Sequence, residues 1–215
     1  MPARRPKAPP VTTVLLVRHG QTPTTGSVLP GRAPGLSLSD AGRAQAAAVA
    51  ERLAAVGKFD AVYASPLERT RQTAAPIGKK LGQPVKIDRG LLECDFGEWT
   101  GRPLKELMKT PEWRTVQRWP SGFRFPGGES FTEMQTRFTD TLAKLRLRHR
   151  GGRIVVVSHA DPIKAAVAEA VGTHLDLFQR IVVSPCSVTT IAYGDGGPVV
   201  LGVNAMGDLA PVNPS

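Results

Sequence analysis

The chain has 215 residues, 41% of them hydrophobic, which is enough to bury one sizeable core and leaves no long linker between two. Its formal net charge is +10, yet lysines and arginines are scattered and no nucleic-acid-binding module is recognisable; the charge therefore points to capture of small anions rather than of nucleic acid. No apolar stretch is long enough for a secretion signal or a membrane span, and the two cysteines, Cys94 and Cys186, form neither a metal-binding pattern nor a disulfide framework, so a reducing, cytoplasmic setting is expected.

Residues 1–12 form a basic, proline-rich tail expected to be disordered, and residues 13–215 are expected to fold as one domain. The apolar run Val14-Leu15-Leu16-Val17 predicts a strand over 13–18 that ends by presenting Arg18-His19-Gly20-Gln21-Thr22. Ser39 caps a predicted helix that carries Asp40 in its first turn and runs to Val56, where Gly57 stops it. A strand over 60–64 leads into Ser65-Pro66, which reads as a helix start with serine as cap and proline in the first turn, so that Arg69 lies on the opening turn. Arg71, two residues on, points elsewhere and is expected to be solvated. After a short strand over 85–88, the loop Leu91-Leu92-Glu93-Cys94-Asp95-Phe96-Gly97-Glu98 offers three carboxylates, which the local pattern ranks equally.

The segment 101–135 is rich in aromatics, among them Trp113, Trp119, Phe123 and Phe125, and reads as a lid that sets specificity while covering part of the sheet. The run Lys144-Leu145-Arg146-Leu147-Arg148 reads as the solvated face of an amphipathic helix, with His149 and, further on, His174 as helix-end or surface residues. The β-branched strand over 153–158 delivers Ser158-His159-Ala160-Asp161-Pro162 and another proline-started helix. Strands over 187–193 and 199–203 follow. The alternation predicts an α/β domain, a three-layer α/β/α sandwich with a mostly parallel central sheet.

Strand ends of an open α/β sheet are where such folds bind ligands, and here they carry two histidines, two arginines and an acid. Each motif is common alone. As an ordered set they resemble the histidine phosphatase superfamily, the phosphoglycerate-mutase-like enzymes, over roughly residues 13 to 204. The resemblance implies that His19 is the phosphorylated nucleophile, that Arg18 and Arg69 clamp the phosphate, that His159 is the second histidine of the pocket, and that Glu93, rather than Asp95 or Glu98, is the proton donor. The chemistry asks for the same parts. A metaphosphate-like transition state spreads charge over three oxygens, which fixed guanidinium forks and an imidazole N–H stabilise without metal or cofactor. His19 must attack unprotonated, which surrounding positive charge favours, and Glu93 must have a raised pKa to give up a proton near neutrality.

Gln21, Thr25, Arg32 and Ala160 complete the candidate substrate contacts. Thr25 stands where many relatives have an asparagine, and its hydroxyl is shorter. The loop from Leu29 to Ser39 lacks the family's aspartate, which makes Arg32 a candidate contact for a second phosphate or a carboxylate. The family's pair of glycines after the second histidine is Ala160-Asp161, and an acid there repels strongly anionic substrates unless it points away.

Three functions follow: a phosphatase acting on a small anionic phosphomonoester through phospho-His19, a phosphomutase using the same intermediate, and a phosphate-binding protein without turnover. The full set of core groups argues against the last. The stretch Arg102-Pro103-Leu104-Lys105-Glu106-Leu107 resembles the shorter phosphatase pattern rather than the longer basic insert of mutases, which favours the first. Substrate identity and oligomeric state are left open.

Overall fold

The computed structural model describes residues 10–209. The expected disordered tail lies outside them as far as residue 9, and its last residue is already in the sheet. Six strands among the described residues, β1 (Thr12–Arg18), β2 (Ala61–Ala64), β3 (Val85–Ile87), β4 (Arg153–Ser158), β5 (Val188–Gly194) and β6 (Gly197–Ala205), form one sheet in the order β3-β2-β4-β1-β5-β6. β1 to β4 are mutually parallel, whereas β5 pairs antiparallel with β1, and β6 antiparallel with β5. The antiparallel edge has a local cause. Gly194 pairs with Gly197 across Asp195-Gly196, the dipeptide of tight hairpins, while the parallel strands are joined by helical crossovers.

Helices α1 (Asp40–Val56) and α2 (Glu68–Leu81) cover one face. Short helices α3 (Leu104–Leu107) and α4 (Pro111–Arg118) lie in the aromatic segment, and α5 (Phe131–Arg148) and α6 (Ala160–Ala170) cover the other face. The strands read as continuous apolar runs because both faces are buried. Leu15, Val17, Val62 and Val155 pack with Val49, Leu53 and Ile77 on one side; Val14, Leu16, Tyr63 and Ile154 pack with Phe138, Leu142 and Ile163 on the other. A third cluster, built on Phe96, Trp99, Phe125, Phe131 and Phe178, lies beneath α3 and α4 and includes their Leu107 and Val116.

The helix over 40–56 begins and ends where the sequence places it: Ser39 Oγ accepts from the Gly42 N–H at 3.1 Å, and Gly57 takes φ of 115°. The helix after β2 starts later than the Ser-Pro signal predicts. Leu67 is its cap and Glu68 its first residue, because the Ser65 hydroxyl is engaged with His159 instead. Arg69 still falls in the opening turn.

β2, β4 and β1 are adjacent, so their carboxyl ends bring Ser65, His159 and Arg18-His19 to one rim of the sheet. The first turn of α1 packs directly on the loop after His19. A Cβ on Gly42 would run into the carbonyl of Gln21, and one on Gly20 into the carbonyl of Gly42. Gly42→Ala is therefore expected to destabilise the fold by about 1–3 kcal/mol through overpacking. Thermal denaturation should show a midpoint lower by at least ~2 °C, and turnover should fall in the surviving folded protein because the His19 loop is displaced.

Candidate active site

β1 delivers Arg18 and then His19, whose N–H donates to the Ser158 carbonyl at 2.9 Å and so ties the end of β1 to β4. The next N–H, of Gly20, donates to Thr73 Oγ1 on α2 at 3.0 Å. His19 Nδ1 lies 2.8 Å from the Gly20 carbonyl oxygen, which can only accept; the proton is therefore on Nδ1 and Nε2 carries the lone pair. Arg69 Nε donates to that Nε2 at 3.3 Å, in agreement with this tautomer.

Arg69 is wholly buried, with Nη2 donating to the Gly31 carbonyl at 2.7 Å. Arg18 Nη1 donates to the Val183 carbonyl at 2.7 Å. His159 caps α6 and pairs through Nε2 with Ser65 Oγ at 2.9 Å; its ring centroid lies 5.2 Å from that of His19. Three buried nitrogens of this group, Arg18 Nε, Arg69 Nη1 and His159 Nδ1, have no hydrogen-bond partner among the described residues. The two arginine nitrogens are donors, and His159 Nδ1 is a third when the Ser65 hydroxyl donates to Nε2; unpartnered buried donors are costly, and such a set fits an oxyanion.

Burial, then Arg69 and Arg18, hold His19 well below the ordinary histidine range, and burial and Arg69 do the same to His159. The imidazole of His19 is neutral at pH 7, as a nucleophile requires. Glu93 moves the opposite way. Burial, reinforced by the Asp161 carboxylate, raises its carboxyl to about 7, although the Cys94 N–H, Arg69 and Arg18 pull it down. Cys94 and Cys186 are both buried and free; burial pushes the Cys186 thiol up to about 12, and the Cys94 thiol higher still.

A cavity of about 210 Å³ opens on this group, walled by Arg18, His19, Thr22, Thr25, Glu93 and Ala160, with Asp161 and a rim of apolar residues. Arg69 and His159, fully buried beside His19, are not among its lining residues. A larger groove of about 520 Å³ between α2 and β3 contains Arg71 and Glu68 but no nucleophile or clamp.

The five expected catalytic residues come together. Among the rival acids, Asp95 pairs with Arg32 and Glu98 is exposed, so Glu93 alone of the three faces the cavity. Thr25 lines the cavity while its Oγ1 accepts from the Thr22 N–H at 2.8 Å. Gln21 does not line it; its side chain is exposed and its backbone anchors Ser39 and Gln45. Arg32 departs from the expected role. Its guanidinium donates to the Glu93 carbonyl at 2.9 Å and contacts Glu129 at 2.8 Å and Asp95 at 3.4 Å, so it braces the acid loop rather than offering a second phosphate contact. Asp161 does not point away from the cavity, and Lys164 pairs with it at 3.3 Å.

Sequence reasoning missed the other brace. Arg137 of α5 donates to the carbonyls of Gly90 (2.8 Å), Leu92 (3.0 Å) and Glu93 (3.2 Å), and is held by Glu129 at 2.9 Å. The only signal for it was the Pro-Gly-Gly-Glu-Ser turn, which places Glu129 beside Ser130. Ser130 and Glu133 in turn form the capping box of α5.

Residues 14–206 match the sequence model of the histidine phosphatase superfamily, branch 1, and the chain belongs to that family. It is 34% identical over 199 residues to phosphoserine phosphatase 1 of Hydrogenobacter thermophilus, a match covering 89% of this chain and 91% of that one. It is 32% identical over 202 residues to a bifunctional protein of Mycobacterium tuberculosis, covering 92% of this chain but 55% of the relative; the chain thus spans about half the length of the mycobacterial relatives of this kind. Its fold matches the native structure of a mycobacterial glucosyl-3-phosphoglycerate phosphatase with a TM-score of 0.81 at 26% identity, covering 91% of this chain and 99% of that one. Among the described residues no helix is long and apolar enough to cross a membrane.

The electrostatics can be read directly by NMR. Glu93 should titrate with a midpoint near 7, and Asp161→Asn should lower that midpoint because a neighbouring negative charge is removed. At pH 7 the ¹⁵N shifts of His19 should report a neutral ring protonated on Nδ1. An imidazolium, or a Glu93 midpoint in the ordinary carboxylate range, would contradict the geometry.

Proposed function

We propose that the protein is a metal-independent phosphomonoesterase that hydrolyses a small anionic ester through a phosphohistidine on His19. The observation that carries this reading is the neutral His19 ring, its Nε2 free of any proton and set among three unpartnered buried nitrogens beside an acid whose carboxyl is raised to about 7. In the first step Nε2 forms a bond to phosphorus as the ester O–P bond breaks, and protonated Glu93 gives its proton to the leaving alkoxide. Arg18, Arg69 and His159 hold the equatorial oxygens throughout. In the second step ionised Glu93 takes a proton from water, whose oxygen attacks phosphorus as the N–P bond breaks; inorganic phosphate leaves and Glu93 is again protonated.

Hydrolysis is favoured over mutase chemistry by the wall of the cavity. Arg18 is its one cation, Glu93 and Asp161 are carboxyl groups, and Arg32 is bound to Asp95 and Glu129. A bisphosphorylated intermediate would find no second cation in that wall, and Lys164 of the adjoining space is paired with Asp161. The same reading takes 13–215 as one catalytic domain, 101–135 as its specificity insert and Ala160 as a substrate contact at the start of α6. It places the protein in a reducing cytoplasm, which the two free buried thiols support.

Rapid quenching with ³²P-labelled substrate should trap an acid-labile, base-stable phosphoenzyme that His19→Ala lacks, and extensive chelation should leave the rate within about twofold. The same label persisting in His19→Ala, or a large loss restored by a divalent ion, would overturn the proposal.

Glu93→Gln should slow alkyl phosphates by on the order of 10²–10⁴-fold and activated aryl phosphates far less in the phosphorylation step, since a good leaving group needs no proton. Dephosphorylation should slow for both, so phosphoenzyme accumulates with the aryl ester. Asp95→Asn and Glu98→Gln should show no such dependence on the leaving group.

A further inference from the structure

Beyond the catalytic cavity lies a second chamber of about 280 Å³, and the two share Leu29, Phe96, Leu104 and Asp161 as a common wall. The chamber runs between the aromatic insert and α6. Its sides are Trp113, Phe125 and Phe131, and its polar end is Asp161, Lys164 and Gln179. At about 30 Å³ per water-sized group, the catalytic cavity holds roughly seven such groups, the size of a phosphate with a three-carbon stub, and the chamber roughly nine more. A serine or glycerate ester reaches only a little way past the first cavity; a ring fills the second.

The polar end is organised. Lys164 Nζ donates to Asp161 Oδ1 at 3.3 Å and to Gln179 Oε1 at 3.0 Å, and lies 5.9 Å from the centre of the Phe178 ring. An ammonium has three N–H groups, so one is left to donate; Asp161 Oδ2 is left to accept. An adjacent donor and acceptor suit a hydroxyl, which both accepts and donates. Asp161 and Lys164 are already paired with each other, so neither a carboxylate nor an ammonium on the alcohol finds an unpaired counter-charge at this end.

Resting on the phosphatase reading of the adjoining site, we propose that this chamber receives the alcohol part of the substrate and selects a neutral, hydroxyl-bearing ring of the sugar type. Asp161, Lys164 and Gln179 are its specificity-determining polar groups, and Trp113 is a ring-packing wall.

Steady-state kinetics with glucose 6-phosphate, phosphoserine and 3-phosphoglycerate test this, because all three are primary alkyl esters of similar reactivity and differ in what the chamber must hold. The kcat/KM for glucose 6-phosphate should exceed the other two by about tenfold or more, the worth of one or two hydrogen bonds. Gln179→Leu and, independently, Trp113→Ala should raise the KM for glucose 6-phosphate by about tenfold with a much smaller change in kcat, since uniform binding is lost. Phosphoserine or 3-phosphoglycerate used as well as glucose 6-phosphate, or an unchanged KM in both variants, would overturn the assignment. p-Nitrophenyl phosphate separates the two levels. If it is turned over while the alkyl order is reversed, only the chamber assignment fails; if it is not turned over, the phosphatase reading fails and the chamber assignment with it.

Discussion

The whole site depends on a guanidinium placed where water cannot reach it. Arg69 is the largest fully buried side chain among the described residues, and neither it nor Arg18 is in an ion pair with a carboxylate within 4 Å there. A buried charge is costly unless it is hydrogen-bonded and compensated. Arg69 is anchored by the Gly31 carbonyl and His19 Nε2, and part of its compensation comes at a distance from Glu93. The consequences follow in order. Burial, with the positive charges of Arg69 and Arg18, keeps His19 and His159 neutral, the neutral His19 carries its lone pair on Nε2, and the same charges make the rim of the sheet a place for an anion. Stability is thus traded for a preorganised field, as electrostatic catalysis requires.

Glu93 needs the opposite environment, and a separate set of charges provides it. Its loop is clasped from both sides by Arg32 and Arg137, whose N–H groups converge on the Glu93 backbone carbonyl, while Glu129 binds both guanidiniums. These cations touch the main chain and leave the carboxyl to its burial and to Asp161, so the loop is fixed without lowering the pKa of its acid group. The brace also links three distant parts of the chain, the loop before α1, the acid loop and α5. The aromatic insert packs against the same loop: Phe96 meets Phe125 at 4.9 Å, Phe125 meets Phe131 at 5.2 Å, and Trp99 stacks near Trp113 at 6.3 Å. The insert is therefore a cored extension of the fold, not a loose flap, and its rings serve both as core and as chamber wall.

The elements legible in the sequence were those with a local cause. The strand before Arg18 and the strand before His159 are apolar runs ended by chemistry-bearing residues, and the Ser39–Gly57 helix carries both its cap and its stop. Glu93 could be separated from Asp95 and Glu98 only through the family resemblance, since all three lie in one loop and burial distinguishes them. Ser65 misled because a serine before proline satisfies a helix-cap pattern, while its hydroxyl is used across the sheet by His159. Arg32 misled for the related reason that a lone arginine in a loop does not show its partners; Glu93, Asp95 and Glu129 lie far along the chain. Arg137 left no trace beyond the turn that carries Glu129, being one of several arginines on a helix with a strongly basic face. Long-range polar contacts leave little trace in local pattern.

The central claim is that the Gly20 carbonyl, with Arg69 and Arg18, presents His19 Nε2, not Nδ1, to phosphorus. Phosphorus-nitrogen coupling measured by NMR on ¹⁵N-histidine-labelled phosphoenzyme distinguishes the two nitrogens directly. The geometry predicts a single phosphorus-nitrogen bond at Nε2 of His19. Phosphorus on Nδ1, or on any other residue, would contradict it.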